Sequence, residues 1–309
     1  SASAAAAGLS AAERKIVAVV DANQAAAMKL IAETVDIQSA TENHAGVRKV
    51  GDVFARELTK IGFATRWVDL PPQVGRAGHL VAVHRGTQGQ RLLLIGHLDT
   101  VLQGEAFRVA GNRAYGTGIA DMKGGDVIVV EALRALHATG ALKDRQVIVV
   151  FTGDEESTGA PQSESRKALF EAAAESDVAL AFEGASPGVA VVGRRGIGAW
   201  RLHVNGKQAH SSGIFREGSG YGAIFEAARI LDRFRLDLPE QYLTFNPSVM
   251  AAGTNVVLDA AASSGTATGK INVIPREARL AGDIRFITTG QFDAARARMQ
   301  AIVADGLPG

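Results

Sequence analysis

The amino-acid sequence predicts an α/β fold, with a mostly parallel sheet flanked by helices and a second, ferredoxin-like α+β domain. Short, fully apolar runs alternate with amphipathic helical patterns in the first part of the chain, which is typical of a parallel sheet covered on both faces. After Gly193 the pattern changes to alternating apolar and polar residues, as in an antiparallel strand with one solvated face. The later order of strand, helix, strand, strand and helix lacks only a last strand to complete a ferredoxin-like unit.

The first part of the chain contains the elements of the parallel sheet. Apolar periodicity predicts a helix over about 12–35 and another over about 45–62, where Gly62 ends it. Strands follow in FATRWVDL, HLVAVHRG and RLLLIGHLD, and a long helix near 124–139 precedes the strand in RQVIVVFTGD. In sheets of this kind the functional groups lie beyond the carboxyl ends of the strands.

The second part begins with the strand IGAWRLHVNG, and a helix follows near 219–235. Strands are predicted near 242–258 and 270–287, and a last helix runs from about Gln291 to Ala304. Between the two inner strands, the segment ASSGTATGK predicts an exposed, flexible hairpin tip.

With 309 residues the chain is long enough for two domains, which we place at residues 1–195 and 196–309. The chain stops at DGLPG, a turn sequence. We therefore expect that a C-terminal segment completing both domains is missing.

Composition disfavours several function classes. The formal net charge of +1 gives no reason to expect nucleic acid or a membrane surface as a partner. No apolar run reaches the roughly eighteen residues of a membrane span. The sequence has no cysteine, so a metal would have to be held by His, Asp and Glu side chains.

The opening segment SASAAAAGLSAAE has small side chains and low complexity. It fits an expression scar, the start of a helix, or the residue of a processed export signal with small amino acids at its cleavage site. We expect export, and therefore a periplasmic or secreted protein, with the cytoplasm as the alternative.

Acidic and histidine side chains follow the apolar strands. They are His97 and Asp99 in RLLLIGHLDTV, Asp121 in GTGIADMKGG, Glu155 and Glu156 in VIVVFTGDEESTG, and Glu183 in VALAFEGAS. His97 and Asp99 are two apart on an extended segment and point the same way, which suits a metal-binding imidazole with an orienting carboxylate. Adjacent glutamates can divide roles, because one can bind metal while the other acts as a base.

Each of these signals also has a structural interpretation when it is taken alone. Asp99 or Glu183 could cap a strand, Asp121 could be a helix N-cap, and the adjacent glutamates could belong to a solvated acidic loop. Together, however, several anions at one edge of a sheet repel each other unless positive charge lies between them. Two divalent metal ions would supply that charge, and such sites hydrolyse amides or esters.

The motifs GHLDTV, AFRVAGNRAYGTGIADMKGG and TGDEESTG, in this order, resemble the zinc-dependent exopeptidase and deacylase family. That family includes glutamate carboxypeptidase, succinyl-diaminopimelate desuccinylase, acetylornithine deacetylase and the aminoacylases, and bacterial glutamate carboxypeptidase is the most similar branch. The resemblance covers nearly the whole chain. It implies a zinc exopeptidase-like catalytic domain over residues 1–195 and an inserted lid and dimerisation domain over residues 196–309.

The resemblance implies two Zn²⁺ ions per subunit. His97 and Glu183 would bind one ion, Asp121 would bridge both, and Glu156 would bind the second. A glutamate at position 183, rather than an aspartate, resembles the carboxypeptidase and deacylase branch more than the aminopeptidase branch.

Further roles follow from the same resemblance. Glu155 would be the general base, and Asp99 would orient the His97 ring. The family also has a cis peptide bond after its bridging aspartate, so we expect one between Asp121 and Met122.

In the second domain the resemblance gives roles to three residues. His210 in NGKQAHSSG matches a histidine that helps to stabilise the oxyanion and reaches into the partner subunit's site, so a homodimer is expected. Asn272 in INVIP and Arg285 in GDIR match residues that hold the substrate carboxylate, a task that suits the planar fork of arginine. The segment before Asn272 is longer than expected, which leaves Asn255 as a weaker rival for the polar contact.

One ligand of the family is not found. The family's last zinc ligand is a histidine near the C-terminus, and no histidine follows His210 in this chain. The other histidines do not match it: His44, His79, His84, His137 and His203. We therefore expect the second zinc site to be incomplete in this chain.

The resulting hypothesis is a two-zinc hydrolase that cleaves the amide between an acyl or peptidyl group and a C-terminal amino acid with a free carboxylate. A deacylase of small N-acyl amino acids is the alternative within the enzyme class. A non-catalytic dimerising fragment is the alternative outside it, because the last ligand is absent. Nucleotide binding through YGTGIADMKGG is disfavoured, since the sequence has no GK[ST] phosphate loop.

Overall fold

The computed structural model describes residues 8–184, 186, 188–259 and 264–309. The chain folds into two compact units, Ser1–Val189 and Ala190–Gly309, and each is described by itself. Residues 1–7 of the low-complexity opening segment lie outside the described residues, so its assignment to an export signal stays a prediction. No helix of the described residues combines the length and the apolar content needed to cross a membrane.

The helices of the first unit are α1 Ala11–Ala22, α2 Gln24–Asp36, α3 His44–Lys60, α4 Gly124–Ala138, α5 Gln162–Ser165 and α6 Lys167–Ala174. The prediction of a single helix over about 12–35 is wrong, because α1 and α2 meet at Asn23. The Asn23 amide donates to the carbonyls of both Val19 and Val20, which tightens the last turn of α1. Its side chain donates to Glu131 at 3.4 Å, and an asparagine with such a polar contact favours a helix boundary over a helix interior.

The strands of the first unit are β1 Ala64–Val68, β2 His79–His84, β3 Leu92–His97, β4 Arg108–Ala110, β5 Arg113–Tyr115, β6 Val147–Thr152 and β7 Val178–Ala181. Five of them form one sheet in the order β1-β2-β6-β3-β7. β3 is parallel to both β6 and β7, whereas β2 is antiparallel to both β1 and β6. Four strands therefore run one way and β2 runs against them, which confirms the predicted mostly parallel sheet.

Helices cover both faces of this sheet, as the apolar strands predict. β6 is buried along its whole length. Val149 and Phe151 pack into one core with side chains of α3 and α4, while Ile148 and Val150 pack on the other face with Ala168 of α6. Because alternate residues of β6 are held on opposite faces, the carboxyl end of the strand has a fixed position.

A short antiparallel hairpin and an irregular turn precede α4. The hairpin consists of β4 and β5 and was not evident from the sequence, because three-residue strands show no clear alternation. The irregular turn, Ile119–Lys123, follows it and leads directly into α4. The turn carries Asp121.

The second unit contains β8 Gly196–Asn205, α7 Gly222–Asp237, β9 Thr244–Gly253, β10 Asn255–Leu258, β11 Gly265–Thr268, β12 Glu277–Phe286 and α8 Thr289–Ala304. Its main sheet is antiparallel with the order β8-β12-β9, and β10 and β11 form a separate hairpin. Both helices contribute to one core, with Ile230 of α7 and Met299 of α8 packed near Leu280 of β12. The strand, helix, strand, strand, helix order is the predicted ferredoxin-like order with an additional hairpin.

The predicted hairpin tip, residues 262–270, is partly strand. β11 lies within it and pairs with β10, from Asn255 opposite Thr268 to Leu258 opposite Gly265. Residues 260–263 lie outside the described residues. The described part of the tip therefore forms one strand of the β10–β11 hairpin, and all four residues of β11 are exposed, as predicted.

Candidate metal centre

The carboxyl ends of β3, β6 and β7 bring the predicted residues of the first unit to one edge of the sheet. His97 is the last residue of β3, and its side chain is buried. Carboxylates follow β3, β6 and β7 or lie in the turn before α4: Asp99, Glu155, Glu156, Glu183 and Asp121. The parallel register places His97 beside the last residue of β6, so the segments that follow both strands begin at the same level.

The His97 ring is surrounded by acceptor atoms. Its Nδ1 lies 2.9 Å from the backbone carbonyl of Asp99, which can only accept, so Nδ1 carries a proton. Its Nε2 lies 3.1 Å from Asp121 Oδ1 and 3.2 Å from Glu183 Oε1. In a neutral ring the lone pair of Nε2 would face two carboxylates, which requires either a second proton or a cation between them.

Two groups of donor atoms have the spacing of metal ligands. One comprises His97, Glu155 and Glu183, and the other comprises His97, Asp121 and Glu156, with the atoms of each group within 4.8 Å of one another. One imidazole with several carboxylates and no thiolate is a donor set that suits a divalent cation such as Zn²⁺. The site residues therefore fit a metal centre. His97 belongs to both groups of ligand atoms.

The grouping differs from the roles that the resemblance implies. One group joins His97 with Glu156, which the resemblance assigns to different ions, and Asp121 is in that group alone rather than in both. The Glu155 carboxylate lies at ligand distance with His97 and Glu183, whereas the resemblance gives it the role of base. A base toward a metal-bound water must itself be close to the metal, so the position is compatible with either role. Its individual role stays a prediction.

Asp99 contacts both the histidine and the glutamate loop, which is the segment 153–159 that follows β6 and carries Glu155 and Glu156. It is fully buried, and its two carboxylate oxygens accept from the backbone N–H groups of Glu155 at 3.1 Å and Glu156 at 3.2 Å. The Thr41 hydroxyl donates to it at 2.7 Å. Burial acts to raise the pKa of Asp99, but the contacts with His97 and Thr41 outweigh it and keep that pKa below its usual value. Asp99 is therefore an ionised acceptor that holds the amides of Glu155 and Glu156. Its carboxylate lies 3.5 Å from His97 Nδ1, farther than its backbone carbonyl, so its role in orienting the ring stays a prediction.

Crowding of like charge perturbs the other groups. Burial, and then the neighbouring Asp121 carboxylate, raise the pKa of Glu156 and that of Glu183. Burial opposes protonation of His97, but the surrounding carboxylates outweigh it and raise the pKa of that imidazole to about 10. When no cation is bound, the proton on His97 thus supplies the positive charge that the surrounding carboxylates require.

A sixth carboxylate, Asp126, lies at this centre and was missed in the sequence. It is in the first turn of α4 and is completely buried, and neither of its oxygens has a hydrogen-bond partner among the described residues. Burial raises the pKa of Asp126 well above its usual value. A Cβ atom on Gly96 would lie 1.9 Å from Asp126 Oδ1, so a larger residue before His97 would displace the Asp126 carboxylate. An acidic residue in a first helical turn is common and gives no signal in a sequence.

Lys123 is a second buried ionisable side chain that the sequence did not reveal. Its Nζ donates to the carbonyls of Thr34 and Ile37, each at 2.9 Å. Burial lowers the pKa of Lys123 to about 8. The lysine therefore ties the end of α2 to the turn that carries Asp121.

Two further expectations concern Asp121 itself. The peptide bond between Asp121 and Met122 is cis, which confirms the expectation from the resemblance. The alternative of Asp121 as the N-cap of α4 is wrong, because the residue at the N-cap is Lys123. The Asp121 side chain is 61% exposed, so its carboxylate is available at the rim of the centre.

In the second unit, His210 and Asn272 lie close together. His210 forms an isolated bridge with Val273, and the Ser211 amide donates to the Asn272 carbonyl at 3.0 Å. The His210 Nδ1 accepts from the Ser212 amide at 3.2 Å. A neutral ring in this position carries its proton on Nε2, which leaves an exposed N–H donor.

Arg285 and Asn255 lie elsewhere in the second unit. Arg285 is exposed on β12, and its Nε donates to Asp283 at 2.9 Å. Its two terminal nitrogens have no hydrogen-bond partner among the described residues, so the fork is available to a ligand. Asn255 begins β10 and pairs with Thr268, whereas His210 pairs with Val273. The roles of all these residues stay predictions.

Comparison with known proteins identifies similar sequences. The profile of peptidase family M20/M25/M40 matches residues 93–298. The chain is 32% identical over 281 residues to carboxypeptidase G2 from Pseudomonas sp. (strain RS-16), which covers 88% of this chain and 62% of that relative. It is 27% identical over 293 residues to succinyl-diaminopimelate desuccinylase from Alkalilimnicola ehrlichii, covering 89% of this chain and 72% of that relative. The chain thus spans less than two thirds of the length of carboxypeptidase G2.

Solved structures share the fold. Aminopeptidase PepT from Bacillus cereus has a TM-score of 0.67 at 19% identity, with 91% of this chain and 71% of that chain covered. The YXEP protein of Bacillus subtilis, described as a dinuclear metal-binding peptidase of the M20 family, has a TM-score of 0.60 at 14% identity, with 92% and 71% covered. At these identities the likeness concerns the fold alone.

The buried Asp126 carboxylate makes the stability of the metal-free protein depend on pH. Its pKa is raised in the folded state, so the folded protein binds the extra proton and the free energy of unfolding falls as pH rises above about 4, the usual aspartate value. Asp126→Asn removes this dependence. We expect the variant to gain stability over the wild type progressively as pH increases, measured by urea unfolding in the presence of a chelator.

The exposed Asp21 of α1 provides the matched control. Asp21→Asn removes a carboxylate of the same type from the surface, and its stability is measured over the same pH range. A constant difference between Asp126→Asn and the wild type from pH 4.5 to 8 would contradict the assignment of Asp126 as a buried, unpaired acid.

Proposed function

This chain belongs to peptidase family M20/M25/M40, and we propose that it is a metal-dependent hydrolase with its centre at the His97 end of β3. The position of His97 carries this proposal, because its Nε2 faces carboxylates that form two groups with ligand spacing. The relatives named carboxypeptidase G2 and succinyl-diaminopimelate desuccinylase support an amide as the substrate bond. The proposed substrate is an amide between an acyl or peptidyl group and an amino acid with a free carboxylate.

The proposed cofactor is two Zn²⁺ ions per subunit, with the second site incomplete in this chain because no histidine follows His210. His97 and Glu183 would hold one ion, Asp121 would bridge, and Glu156 would hold the other. The distances of 3.1 Å and 3.2 Å from His97 Nε2 to Asp121 and Glu183 support the first ion, and all four residues belong to the groups with ligand spacing. When bound, zinc supplies Lewis acidity, which lowers the pKa of a coordinated water toward ~7 and polarises the substrate carbonyl.

The proton transfers are assigned to Glu155. Its carboxylate is exposed at the rim, where it can accept a proton from the attacking water on one oxygen. It then donates the same proton to the leaving nitrogen, so the amine departs neutral. Asp99 holds the Glu155 backbone through the hydrogen bond to its N–H, which keeps the base beside the ligands.

The substrate contacts are assigned to the second unit. The exposed Nε2–H of His210 is a donor suited to a developing oxyanion. Asn272 is exposed beside it and offers an amide side chain. Arg285 would pair with the substrate carboxylate through its terminal nitrogens, since a planar guanidinium binds a carboxylate bidentately.

We also propose a homodimer in which His210 serves the partner subunit's site, as the family resemblance implies. Small peptides and N-acyl amino acids remain the proposed partners. A non-catalytic dimerising protein is the competing proposal, and metal content together with hydrolysis separates the two.

The adjacent glutamates give a matched pair of variants that tests the division of roles. Glu155→Gln should lower kcat by about 10²–10⁴-fold while the zinc content is retained, because it removes the base and leaves the other ligands in place. Glu156→Gln should lose the metal of the second site and the activity with it. Both are measured by metal analysis of the purified variants and by hydrolysis of N-acyl glutamate.

Normal turnover in Glu155→Gln would contradict its role as the base. Loss of metal in Glu155→Gln, as in Glu156→Gln, would instead assign Glu155 as a ligand. A wild-type chain that binds one or no zinc ion and hydrolyses no substrate would favour the non-catalytic protein.

Arg285→Met should lower kcat/KM only for substrates that have a free α-carboxylate. A charge-assisted contact contributes about 1.5–3 kcal/mol, so kcat/KM for an N-acyl glutamate should fall by roughly 10–100-fold. The same substrate with its α-carboxylate amidated should be cleaved poorly and equally by both proteins. A panel of N-acyl glutamates, dipeptides and acetyl amino acids measures the effect and separates a carboxypeptidase from a deacylase.

Arg298→Met is the control, because Arg298 pairs with Glu240 on the surface of the same unit and is given no substrate role. An equal loss on the acid and the amidated substrate would refute a carboxylate contact for Arg285.

A further inference from the structure

The proposed base and one proposed ligand lie on a loop rather than on a helix or a strand. This glutamate loop, residues 153–159, follows β6 and has no regular structure. Asp99 holds it from one side through the N–H groups of Glu155 and Glu156. The loop must also be fixed at its two ends, because two hydrogen bonds to adjacent amides do not set the path of a segment of this length.

Asp154 connects the two ends of the loop. Its side chain is fully buried, and its Oδ2 accepts from the Gly159 amide at 2.9 Å and from the Ser165 hydroxyl at 2.6 Å. Its Oδ1 accepts from the Arg166 guanidinium. The contact with Gly159 joins the beginning of the loop to its end.

Arg166 holds the same loop from the side of α5 and α6. Its Nη2 donates to the Asp154 carbonyl at 3.1 Å and to the Thr158 hydroxyl at 2.8 Å. Its Nη1 contacts the Asp154 carboxylate and the Ser165 hydroxyl. One guanidinium therefore binds backbone and side chain on both flanks of the two glutamates, and only 16% of its side chain is exposed.

His79 of β2 completes the set at the start of the loop. Its Nε2 lies 2.7 Å from the Ser165 carbonyl, so this nitrogen carries the proton, and its Nδ1 accepts from the Gly153 amide at 3.2 Å. Both bonds require a neutral ring, and burial lowers the pKa of His79, which keeps it neutral. The ring thus links the loop to the segment that carries Arg166.

We propose that Arg166, with Asp154, is a positioning residue that holds Glu155 and Glu156 in the geometry the metal centre needs. The inference rests on the proposed function, because it assumes the roles given there to the two glutamates. A guanidinium is required because the contacts diverge from one planar group toward a carboxylate, a carbonyl and a hydroxyl. Arg166 contacts Asp154 before the two glutamates and Thr158 after them, and this pattern favours a role in positioning the glutamates over a general role in the stability of the fold.

The test is Arg166→Met in the full chain, compared with the wild type by Zn²⁺ titration against a chromogenic chelator. We expect the Kd for Zn²⁺ to rise by about 10–100-fold, the usual effect of losing groups that orient metal ligands. With N-acyl glutamate as substrate, kcat should fall while KM changes by less than about 2-fold, because the loop carries no group for the substrate carboxylate. The absorption spectrum of the Co²⁺-substituted protein should also change, since it reports the ligand geometry.

Two milder variants test the same contacts in case Arg166→Met does not fold. Thr158→Val removes one Arg166 contact at nearly constant volume, and it should raise the Kd for Zn²⁺ in the same direction by a smaller factor. Arg166→Lys should lie between the wild type and Arg166→Met. Arg91→Met is the control, because Arg91 pairs with Asp177 at the opposite end of β3 and should leave Zn²⁺ affinity unchanged.

Unchanged Zn²⁺ affinity and an unchanged Co²⁺ spectrum in folded Arg166→Met and Thr158→Val would overturn the positioning role while leaving the proposed function intact. A wild-type chain that binds no Zn²⁺ would overturn both. Equal losses in Arg91→Met and Arg166→Met would also overturn the positioning role, because the effect would then follow general destabilisation.

Discussion

Negative charge crowded around one buried imidazole is the constraint on which the rest of this structure depends. The Nδ1 of His97 is committed to a backbone carbonyl, so Nε2 has to face the carboxylates of Asp121 and Glu183. Ionised side chains at these distances in a partly buried site are tolerated only with positive charge among them. A proton on His97 supplies one unit of that charge, and bound cations supply more while leaving the ring neutral as a ligand.

The sheet and the loops that follow its strands together hold the charged side chains in position. Parallel β3, β6 and β7 end at one edge, which places the segments that follow them side by side. Asp99 joins two of these segments, since it contacts the His97 ring and also accepts from the glutamate loop. The pairs formed by Arg166 with Asp154 and by Lys123 with backbone carbonyls lie outside the centre and set the conformation of the segments that carry it.

Much of this arrangement follows from local sequence patterns. The apolar strands predict where side chains converge, and the spacing of His97 and Asp99 predicts that they share a face. The break at Asn23 and the hairpin of β4 and β5 could not be predicted, because both depend on contacts rather than on periodicity. Asp126 and Lys123 were missed for the same reason: a carboxylate in a helix's first turn and a lysine in a polar motif are ordinary until their burial is known.

The site residues of the second unit depend on the resemblance to the family rather than on physical pattern. Nothing in the periodicity of NGKQAHSSG or GDIR distinguishes His210 or Arg285 from other exposed residues. The structure adds local facts, since it places His210 beside Asn272 and leaves the terminal nitrogens of Arg285 available among the described residues. Substrate preference is decided by such exposed groups, whose orientation a sequence pattern does not encode.

Anomalous diffraction at the zinc edge, from crystals of the chain grown with Zn²⁺, tests the central claim most directly. The account predicts a strong peak near His97 and Glu183 and a weaker one near Glu156, because the second site lacks one of the expected ligands in this chain. Crystals with no peak among these side chains, or with His97 still hydrogen-bonded to both carboxylates and zinc only at surface sites, would contradict it.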